Sequence, residues 1–453
     1  MNASFFGELL QTIAERGRAL IDRTRDRRGA EARSQSLIEL CDELLSGRGE
    51  ASGVALAREI LACYEDLTTG PRIAFFEALA REFGSDRERI AAAIEAWQRD
   101  PTEETASDLH AAAEPRRQEL FRRLNLAPGG TAALVDMRRQ LMDALVRRED
   151  LSPVDADFVH LFSSWFNRGF LVLRHIDWST PAIVLEKIIR YEAVHAIRDW
   201  EDLRRRIDPP DRRCYAFFHP ALVDEPLIFV EVALTEDIPE AIAPILATER
   251  EQLAPEKATT ATFYSISNCQ RGLSGVSFGH FLIKQVVEEI SRDMPRLSTF
   301  VTLSPVPGFA RWLAEERARE QSAALTAEDR TRLQLVDQPG WWERPEAAEV
   351  RDPLLRAAAS YFLGARNRRG APIDPVARFH LGNGARLGQL NWLADTSPKA
   401  LSQSHGLMVN YFYDLEEIEK NHEAYAEGRT IVVSNAIKRL ARNSTLHLLP
   451  VAG

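Results

Sequence analysis

Cysteine is scarce in this sequence of 453 residues, and the cysteines that occur lie far apart. Cys41, Cys63, Cys214 and Cys269 form no Cys-x-x-Cys pair. Zinc sites and disulfide frameworks of small domains are built on closely and regularly spaced cysteines. The sequence therefore predicts ordinary reduced thiols and no metal site.

Long apolar runs are also missing. No stretch of about 18 apolar residues occurs, the length that a helix needs to cross a bilayer. Residues 1–25 are rich in charge and lack the apolar core of a secretory signal. The last residues, Leu449–Gly453, form no recognisable address signal. We therefore expect a cytoplasmic protein without a membrane partner.

Positive charge is in the minority, and almost all of it is arginine. The chain has 57 Lys and Arg against 67 Asp and Glu, which gives a net charge of −10. Proteins that bind nucleic acids in general carry a basic surface, so we expect no nucleic-acid partner. A local basic site for a phosphate group is compatible with this balance.

The first 170 residues contain apolar positions spaced by three and four, as in the stripe Leu37, Leu40, Leu44 and Leu45. This spacing is typical of amphipathic helices. Ser85 and Glu88 have the spacing of a capping box and predict a helix start. We predict an all-helical domain of seven or eight helices over residues 1–170, without catalytic residues.

The pattern changes after Leu171, where β-branched and aromatic segments alternate with helical ones. The predicted strands are Cys214–Phe218, Leu227–Leu234, Phe263–Ser267 and Thr299–Leu303. Strands and helices in this order indicate a mixed-sheet domain over residues 171–453. The predicted fold class of the whole chain is α+β.

A glycine-containing loop, residues 270–279, lies between a predicted strand and a helix that runs to Ile290. A further strand follows and ends at Ser304-Pro305. Such a βαβ unit has parallel strands and a right-handed crossover. Glycines let backbone amides approach a ligand closely, and the amides at a helix start attract phosphate. The alternative is that these glycines serve only the geometry of the turn.

This arrangement resembles the acyl-CoA site of the GNAT acyltransferase fold. The neighbouring sequences resemble one family more narrowly. FYSISNCQRGLSGVSFGHFLIK, LSPVPGF, ARFHLGNGARLGQLNWLAD and HGLMVNYFY are all similar to malonyl-CoA decarboxylase. The similarity covers most of residues 193–441, and the helical domain also fits that family. The resemblance implies a helical N-terminal bundle followed by a GNAT-like catalytic domain.

The resemblance also implies the site. The family's catalytic serine corresponds to Ser304 and its catalytic histidine to His380. Its malonyl-CoA-binding loop corresponds to Ser274, Gly275, Val276, Ser277, Phe278, Gly279 and His280. Asn383, Asn391 and Tyr411 are further candidates for the acyl pocket, and structural hydrogen bonding is the alternative for these three.

The implied reaction turns malonyl-CoA into acetyl-CoA and CO2 through an enolate. Malonyl-CoA already contains an electron sink, the thioester carbonyl, so we expect no cofactor. The enzyme has to orient the malonyl group, stabilise the enolate oxygen and protonate the carbon. We expect His380 to donate the proton and Ser304 to orient the malonyl group and relay the proton.

Alternatives remain open. Ser304 before Pro305 is a natural strand-ending residue, and His380 between two apolar residues is typical of a buried structural histidine. The chain could also be a GNAT-type acyltransferase, a hydrolase or a CoA-binding sensor without turnover. No Gly-x-Ser-x-Gly elbow supports the hydrolase. The resemblance to oligomeric family members further implies self-association through the helical domain.

Overall fold

The structure is a computed structural model, and it describes residues 33–47, 49–276, 278 and 282–442. Residues 1–25 and 449–453, on which the expectation about targeting rests, lie outside the described residues. Ser277, Gly279 and His280 of the predicted substrate loop lie outside them as well.

Eight α-helices fill the described part of the chain up to residue 165. They are α1 (Arg33–Leu45), α2 (Glu50–Glu65), α3 (Thr69–Arg81), α4 (Arg87–Arg99), α5 (Glu103–Ala113), α6 (Arg116–Asn125), α7 (Gly130–Leu145) and α8 (Ser152–Trp165). The prediction of a helical N-terminal region is confirmed.

The start of α4 differs from the predicted capping box. Asp86, one residue after Ser85, caps the helix, and its Oδ1 accepts the amides of Glu88 at 2.9 Å and Arg89 at 3.2 Å. The hydroxyl of Ser85 instead donates to the carbonyl of Ala113 at 2.6 Å. The prediction of a Ser85 cap was wrong because the adjacent aspartate is as good a cap and takes the position.

Aromatic side chains form much of the core of the helical part. The rings of Phe121 and Phe158 stack with centroids 4.1 Å apart, and Phe162 lies 5.5 Å from Phe158. All three are fully buried. Each such aromatic pair adds roughly 0.5–1.5 kcal/mol beyond the burial of its area, so α6 and α8 are held firmly together.

The rest of the chain is a mixed sheet with helices. Its strands are β1 (Val172–His175), β2 (Arg212–Phe218), β3 (Pro226–Thr235), β4 (Thr260–Asn268), β5 (Thr299–Thr302), β6 (Ser304–Pro305), β7 (Arg386–Asn391) and β8 (Met408–Phe412). Its helices are α9 (Ala182–Tyr191), α10 (Trp200–Ile207), α11 (Ala243–Leu246), α12 (Leu282–Asp293), α13 (Phe309–Ala318), α14 (Ala327–Arg332), α15 (Ala347–Gly364), α16 (Pro375–Gly382), α17 (Pro398–Ser404), α18 (Ile418–Gly428) and α19 (Asn435–Arg442). The four predicted strands and the predicted α+β class are confirmed.

The strands form one sheet in the order β1-β2-β3-β4-β5-β8-β6, and β7 also pairs with β8. The pair β4–β5 is parallel, as the βαβ prediction requires, whereas β3–β4 and β7–β8 are antiparallel. Helix α12 connects the parallel strands and buries an apolar stripe that includes Ile283, Val287 and Ile290.

The parallel strands β4 and β5 separate part-way along β4. Their pairing ends at Phe263 and Thr302, followed by one last bond from the amide of Leu303 to the carbonyl of Phe263 at 2.9 Å. Strand β4 continues to Asn268, whereas Ser304 pairs with Val409 of β8. A split between two parallel strands therefore opens at Ser304.

The contacts divide the chain into two compact units. The first runs to Val172 and also contains Phe218–Glu225 and Gln270–Phe278, whereas the second contains the remainder. The glycine loop thus belongs to the helical unit by its contacts. The predicted boundary at residue 170 stays a prediction. No helix in the described residues is long and apolar enough to cross a membrane.

Candidate active site

Ser304 lies where the sheet splits. It is the first residue of β6, separated from the end of β5 by Leu303, and it is 5% exposed. Its hydroxyl donates to the hydroxyl of Thr302 at 2.8 Å. The alternation of side chains along a strand places Thr302 and Ser304 on the same face. Ser304 is therefore held at the opening with a fixed orientation.

His380 lies in the last turn of the short helix α16, which is fixed at its start by Asp374. One carboxylate oxygen of Asp374 accepts the amide of Ala377 at 2.7 Å, and the other accepts the hydroxyl of Tyr361 at 3.2 Å. Burial raises the pKa of the Asp374 carboxyl to about 6. Pro375 at the first helical position adds a pre-set φ angle. The sequence Asp-Pro thus determines where α16 begins and so where His380 lies.

The structure brings Ser304 and His380 together from 76 positions apart in the sequence. The Oγ of Ser304 lies 3.1 Å from the Nε2 of His380. The Nδ1 of His380 lies 2.8 Å from the hydroxyl of Tyr413, and the imidazole stacks on the ring of Tyr411 at 4.4 Å. Both ring nitrogens are therefore engaged, and the ring plane is fixed by stacking.

The donor and the acceptor can be assigned in each hydrogen bond around His380. Burial raises the pKa of Tyr413 far above its usual range, so its hydroxyl stays protonated. Among the described residues this hydroxyl has no acceptor other than Nδ1 of His380. Because Nδ1 then accepts, the hydrogen of the neutral imidazole lies on Nε2 and points at Ser304. Ser304 in turn donates to Thr302.

The imidazole is neutral at neutral pH. His380 is 2% exposed, and its burial lowers its pKa to about 3. Desolvation disfavours the charged form of a histidine, and among the described residues no charge opposes it. A negatively charged group placed beside the ring would raise this pKa, because an opposite charge stabilises the imidazolium.

Asn410 and Tyr411 of β8 fix the backbone and hydroxyl of Thr302. The side-chain amide of Asn410 donates to the carbonyls of Thr302 at 2.7 Å and Pro239 at 3.3 Å. The backbone amide of Tyr411 donates to the hydroxyl of Thr302 at 3.2 Å. Thr302 accepts from Ser304, so these bonds hold the serine indirectly.

The three further pocket candidates have different surroundings. Asn383 ends α16 and donates to the carbonyl of Phe379 at 2.8 Å, which is a helix-capping contact. Asn391 donates to Asn410 at 2.6 Å, and its own Oδ1 has no partner in the described part of the chain. Tyr411 stacks on His380, and its buried hydroxyl likewise has none there. Of the three side chains, that of Tyr411 contacts the imidazole of His380, whereas Asn383 contacts His380 through its backbone amide, which donates to the His380 carbonyl at 3.0 Å.

The free part of β4 is tied to the chain after α9. The carboxylate of Glu192 accepts the hydroxyls of Ser265 at 2.8 Å and Ser267 at 3.1 Å. It also accepts the amides of Val194 at 2.8 Å and His195 at 2.7 Å. These four donors satisfy the Glu192 carboxylate, which thereby holds the free part of β4 to the chain that follows α9.

The glycine loop is described from Gln270 to Val276, together with Phe278. A short 3-10 helix covers Arg271–Leu273, and Gly275 follows with φ +78°. Only glycine adopts this angle without strain. Among the described residues, a Cβ on Gly275 would meet no atom within 4 Å, so they leave the loop backbone open at this point. Val276 and Phe278 are buried.

Arg271 of the loop and Lys284 of α12 are basic residues that could meet a phosphate group, and each is paired with a carboxylate. Arg271 lies 2.7 Å from Asp143, and Lys284 lies 2.5 Å from Glu419. Within the described residues, no group of three or more His, Cys, Asp or Glu side chains is placed to hold a metal ion.

Comparisons with known proteins agree with this architecture. The profile described as "Malonyl-CoA decarboxylase C-terminal domain" matches residues 169–449, and that of the N-terminal domain matches residues 83–166. The mitochondrial malonyl-CoA decarboxylase of Anser anser anser is 37% identical over 413 residues, which cover 84% of this chain and 82% of that protein. The chain belongs to the malonyl-CoA decarboxylase family.

Solved structures of the family are more similar still. The crystal structure of malonyl-CoA decarboxylase from Rhodopseudomonas palustris is 59% identical, with a TM-score of 0.87 over 90% of this chain and 99% of that one. That from Agrobacterium vitis is 56% identical, with a TM-score of 0.85 over the same shares. As a member of this family, the chain is an enzyme, a carboxy-lyase.

The expectation of a cytoplasmic protein is wrong by this comparison. The curated relatives from goose, mouse and rat are all named as mitochondrial enzymes. The expectation rested on the lack of an apolar core, which is a feature of secretory signals. Mitochondrial leaders are amphipathic and rich in arginine, so the lack of an apolar core does not exclude them.

Proposed function

We propose that this chain decarboxylates malonyl-CoA to acetyl-CoA and CO2, with Ser304 and His380 as the catalytic pair. Its membership of the family supports the reaction. The observation that carries the assignment of residues is the 3.1 Å contact between Oγ of Ser304 and Nε2 of His380 at the split between β4 and β5.

The reaction needs one electron sink and one proton. When the bond between the malonyl carboxylate and the α-carbon breaks, its electron pair moves onto the thioester carbonyl and CO2 leaves. The resulting enolate of acetyl-CoA is then protonated on carbon. The substrate supplies the electron sink itself, so a reaction without a cofactor stays our prediction.

In this proposal His380 delivers the proton and Ser304 orients the malonyl group and relays the proton. The hydrogen on Nε2 points towards Ser304, the side from which a proton can reach the substrate. A positioned acid contributes roughly a hundred- to ten-thousand-fold in rate. A preorganised donor to the enolate oxygen is worth about 2.7–4 kcal/mol.

The buried imidazole fits an anionic substrate. With a pKa of about 3, His380 carries no charge in the free protein. The malonyl carboxylate beside the ring would favour the imidazolium, so the ring takes up from the solvent the proton that the enolate then consumes. Once CO2 has left, the imidazolium is a strong acid beside a basic carbon.

The loop Ser274–His280 is proposed to bind the CoA part of the substrate. Its open backbone at Gly275, with positive φ, supports this role because backbone amides can approach a phosphate closely there. Gly275→Val is expected to weaken CoA binding, since a β-branched side chain is strained at this φ and would crowd the pyrophosphate of the bound CoA.

The helical unit is proposed to mediate self-association. Helix α4 buries none of its residues, and Ile94 and Trp97, one turn apart, are 39% and 43% exposed. We expect Trp97→Glu to shift the protein to a smaller species in sedimentation velocity, while activity per chain is retained. An unchanged sedimentation coefficient would contradict this interface.

One incubation tests the reaction. The full-length protein is mixed with malonyl-CoA and no acyl acceptor, and the products are separated by chromatography. Acetyl-CoA and an equal amount of CO2 are expected. Free CoA and malonate would indicate a hydrolase, whereas intact malonyl-CoA would leave an acyltransferase or a sensor.

A further inference from the structure

The glycine loop is held by an arginine of the helical unit. Arg138 of α7 is 2% exposed, and its Nη1 donates to the carbonyls of Gly272 at 2.7 Å and Ser274 at 2.9 Å. Its Nε donates to Asp155 at 2.8 Å. A guanidinium presents its donors in a fixed planar fork, so it fixes both carbonyls relative to α7.

A second contact shows how closely the loop approaches α7. A Cβ on Gly272 would lie 2.0 Å from the backbone carbonyl oxygen of Val135, so the two backbones touch and only glycine fits. Arg271 and Asp143 add an ion pair at 2.7 Å on the exposed side. The loop is therefore attached to α7 on both sides of Leu273.

We propose that Arg138 is a positioning residue for malonyl-CoA: it holds the Gly272 and Ser274 carbonyls so that the Gly275 backbone is presented to the CoA phosphates. This inference rests on the proposed CoA-binding role of the loop. It gives the helical unit, in which the sequence shows no catalytic residue, a part in substrate binding.

Replacing Arg138 is expected to lower the affinity for CoA. Two carbonyls lose a charged donor when Arg138 is replaced, and the loop becomes free to sample other conformations before CoA binds. Binding then has to order the loop, which weakens affinity. Ser304 and His380 keep their own contacts, so the bound substrate should react at an unchanged rate.

The test compares two buried arginines of the same unit. Arg117 pairs with Asp157, is buried, and has no contact with the loop among the described residues. We expect Arg138→Met to raise the Kd for CoA, measured by calorimetry, and the KM for malonyl-CoA by at least about tenfold. The turnover number should stay within about twofold. Arg117→Met should lower thermal stability without changing either constant.

Several outcomes overturn the proposal. An unchanged Kd in folded Arg138→Met does so, and so does an equal loss of affinity in both arginine variants. If Arg138→Met does not fold, Arg138→Lys takes its place, because an ammonium keeps the charge but cannot reproduce the planar fork. A Kd raised by Arg138→Lys supports the proposal, and an unchanged one overturns it.

Gly275→Val separates this inference from the proposed function. If this variant leaves CoA affinity unchanged, the loop is not the CoA site and the proposed binding role itself fails. If it weakens CoA binding while Arg138→Met does not, only the positioning role of Arg138 fails.

Discussion

The two regions proposed to act on malonyl-CoA are held in opposite ways. Ser304 and His380 are fixed through their side chains, by a directed chain of hydrogen bonds from Tyr413 to Thr302. The glycine loop is fixed through its backbone, by an arginine that binds two carbonyls. The first region presents a hydroxyl and an imidazole, whereas the second presents an open backbone.

This difference separates two kinds of effect. Chemistry needs particular side chains, so changes at the serine and the histidine should lower turnover and leave affinity nearly intact. Binding of a phosphate needs backbone shape, so changes at the loop or its support should lower affinity and leave turnover nearly intact. A variant that mixes the two effects would break the comparison.

The largest effect is expected at the catalytic pair. Ser304→Ala and His380→Gln should each lower the turnover number at least about a hundredfold, the scale of one lost catalytic group. CoA affinity should be retained. Acetyl-CoA release measured at saturating malonyl-CoA checks this, with Ser402→Ala, an exposed serine of the same unit, as the control. Near-normal turnover of either variant would remove that residue from the mechanism.

The buried imidazole should also make stability depend on pH. The pKa of His380 is about 3 in the folded protein and about 6.5 when the chain is unfolded, so the unfolded chain binds the extra proton in between. The neutral imidazole therefore makes its whole contribution to the free energy of unfolding above pH 6.5, and this contribution is lost as the pH falls towards 3.

Denaturant titrations at pH 7 and pH 5 measure this loss. Between pH 7 and pH 5 the free energy of unfolding of the wild type should fall by about 2 kcal/mol more than that of His380→Gln. Other buried histidines, such as His195, are present in both proteins and cancel in the difference. If the two proteins lose the same free energy of unfolding, the imidazole of His380 is not desolvated in the folded protein.

A smaller effect is expected from the hydroxyl behind the imidazole. Tyr413→Phe removes the donor to Nδ1 and frees the ring to change its tautomer, so turnover should fall about tenfold, the scale of one hydrogen bond. Tyr411→Phe is the matched control, because that hydroxyl has no partner among the described residues while its ring stacks on the same imidazole. If both variants behave alike, Tyr413 does not direct the tautomer.

The sequence predicted the elements whose signal is local. The helical stripes, the four strands and the parallel βαβ unit follow from periodicity, glycine and proline. Ser304 and His380 were assigned through the resemblance, because a serine before a proline or a histidine between apolar residues carries no local catalytic signal.

What the sequence did not predict depends on contacts between distant positions. Tyr413 meets His380 across 33 positions, and Arg138 meets Gly272 across 134. Arg138 stands in none of the segments that resemble the family, and HGLMVNYFY, which ends at Tyr413, does not show that this tyrosine meets His380. The strands β1, β7 and β8 were also missed; β1 is only four residues long, and Gly388 interrupts β7.

A double-mutant cycle tests most directly whether Ser304 and His380 act as one catalytic unit on malonyl-CoA. Single-turnover release of CO2 is measured for the wild type, Ser304→Ala, His380→Gln and the double variant. We predict that the double variant is about as slow as the slower single variant, because either change disables the same proton transfer. If the rate of the double variant is instead lowered by the product of the two single losses, a shared role is contradicted.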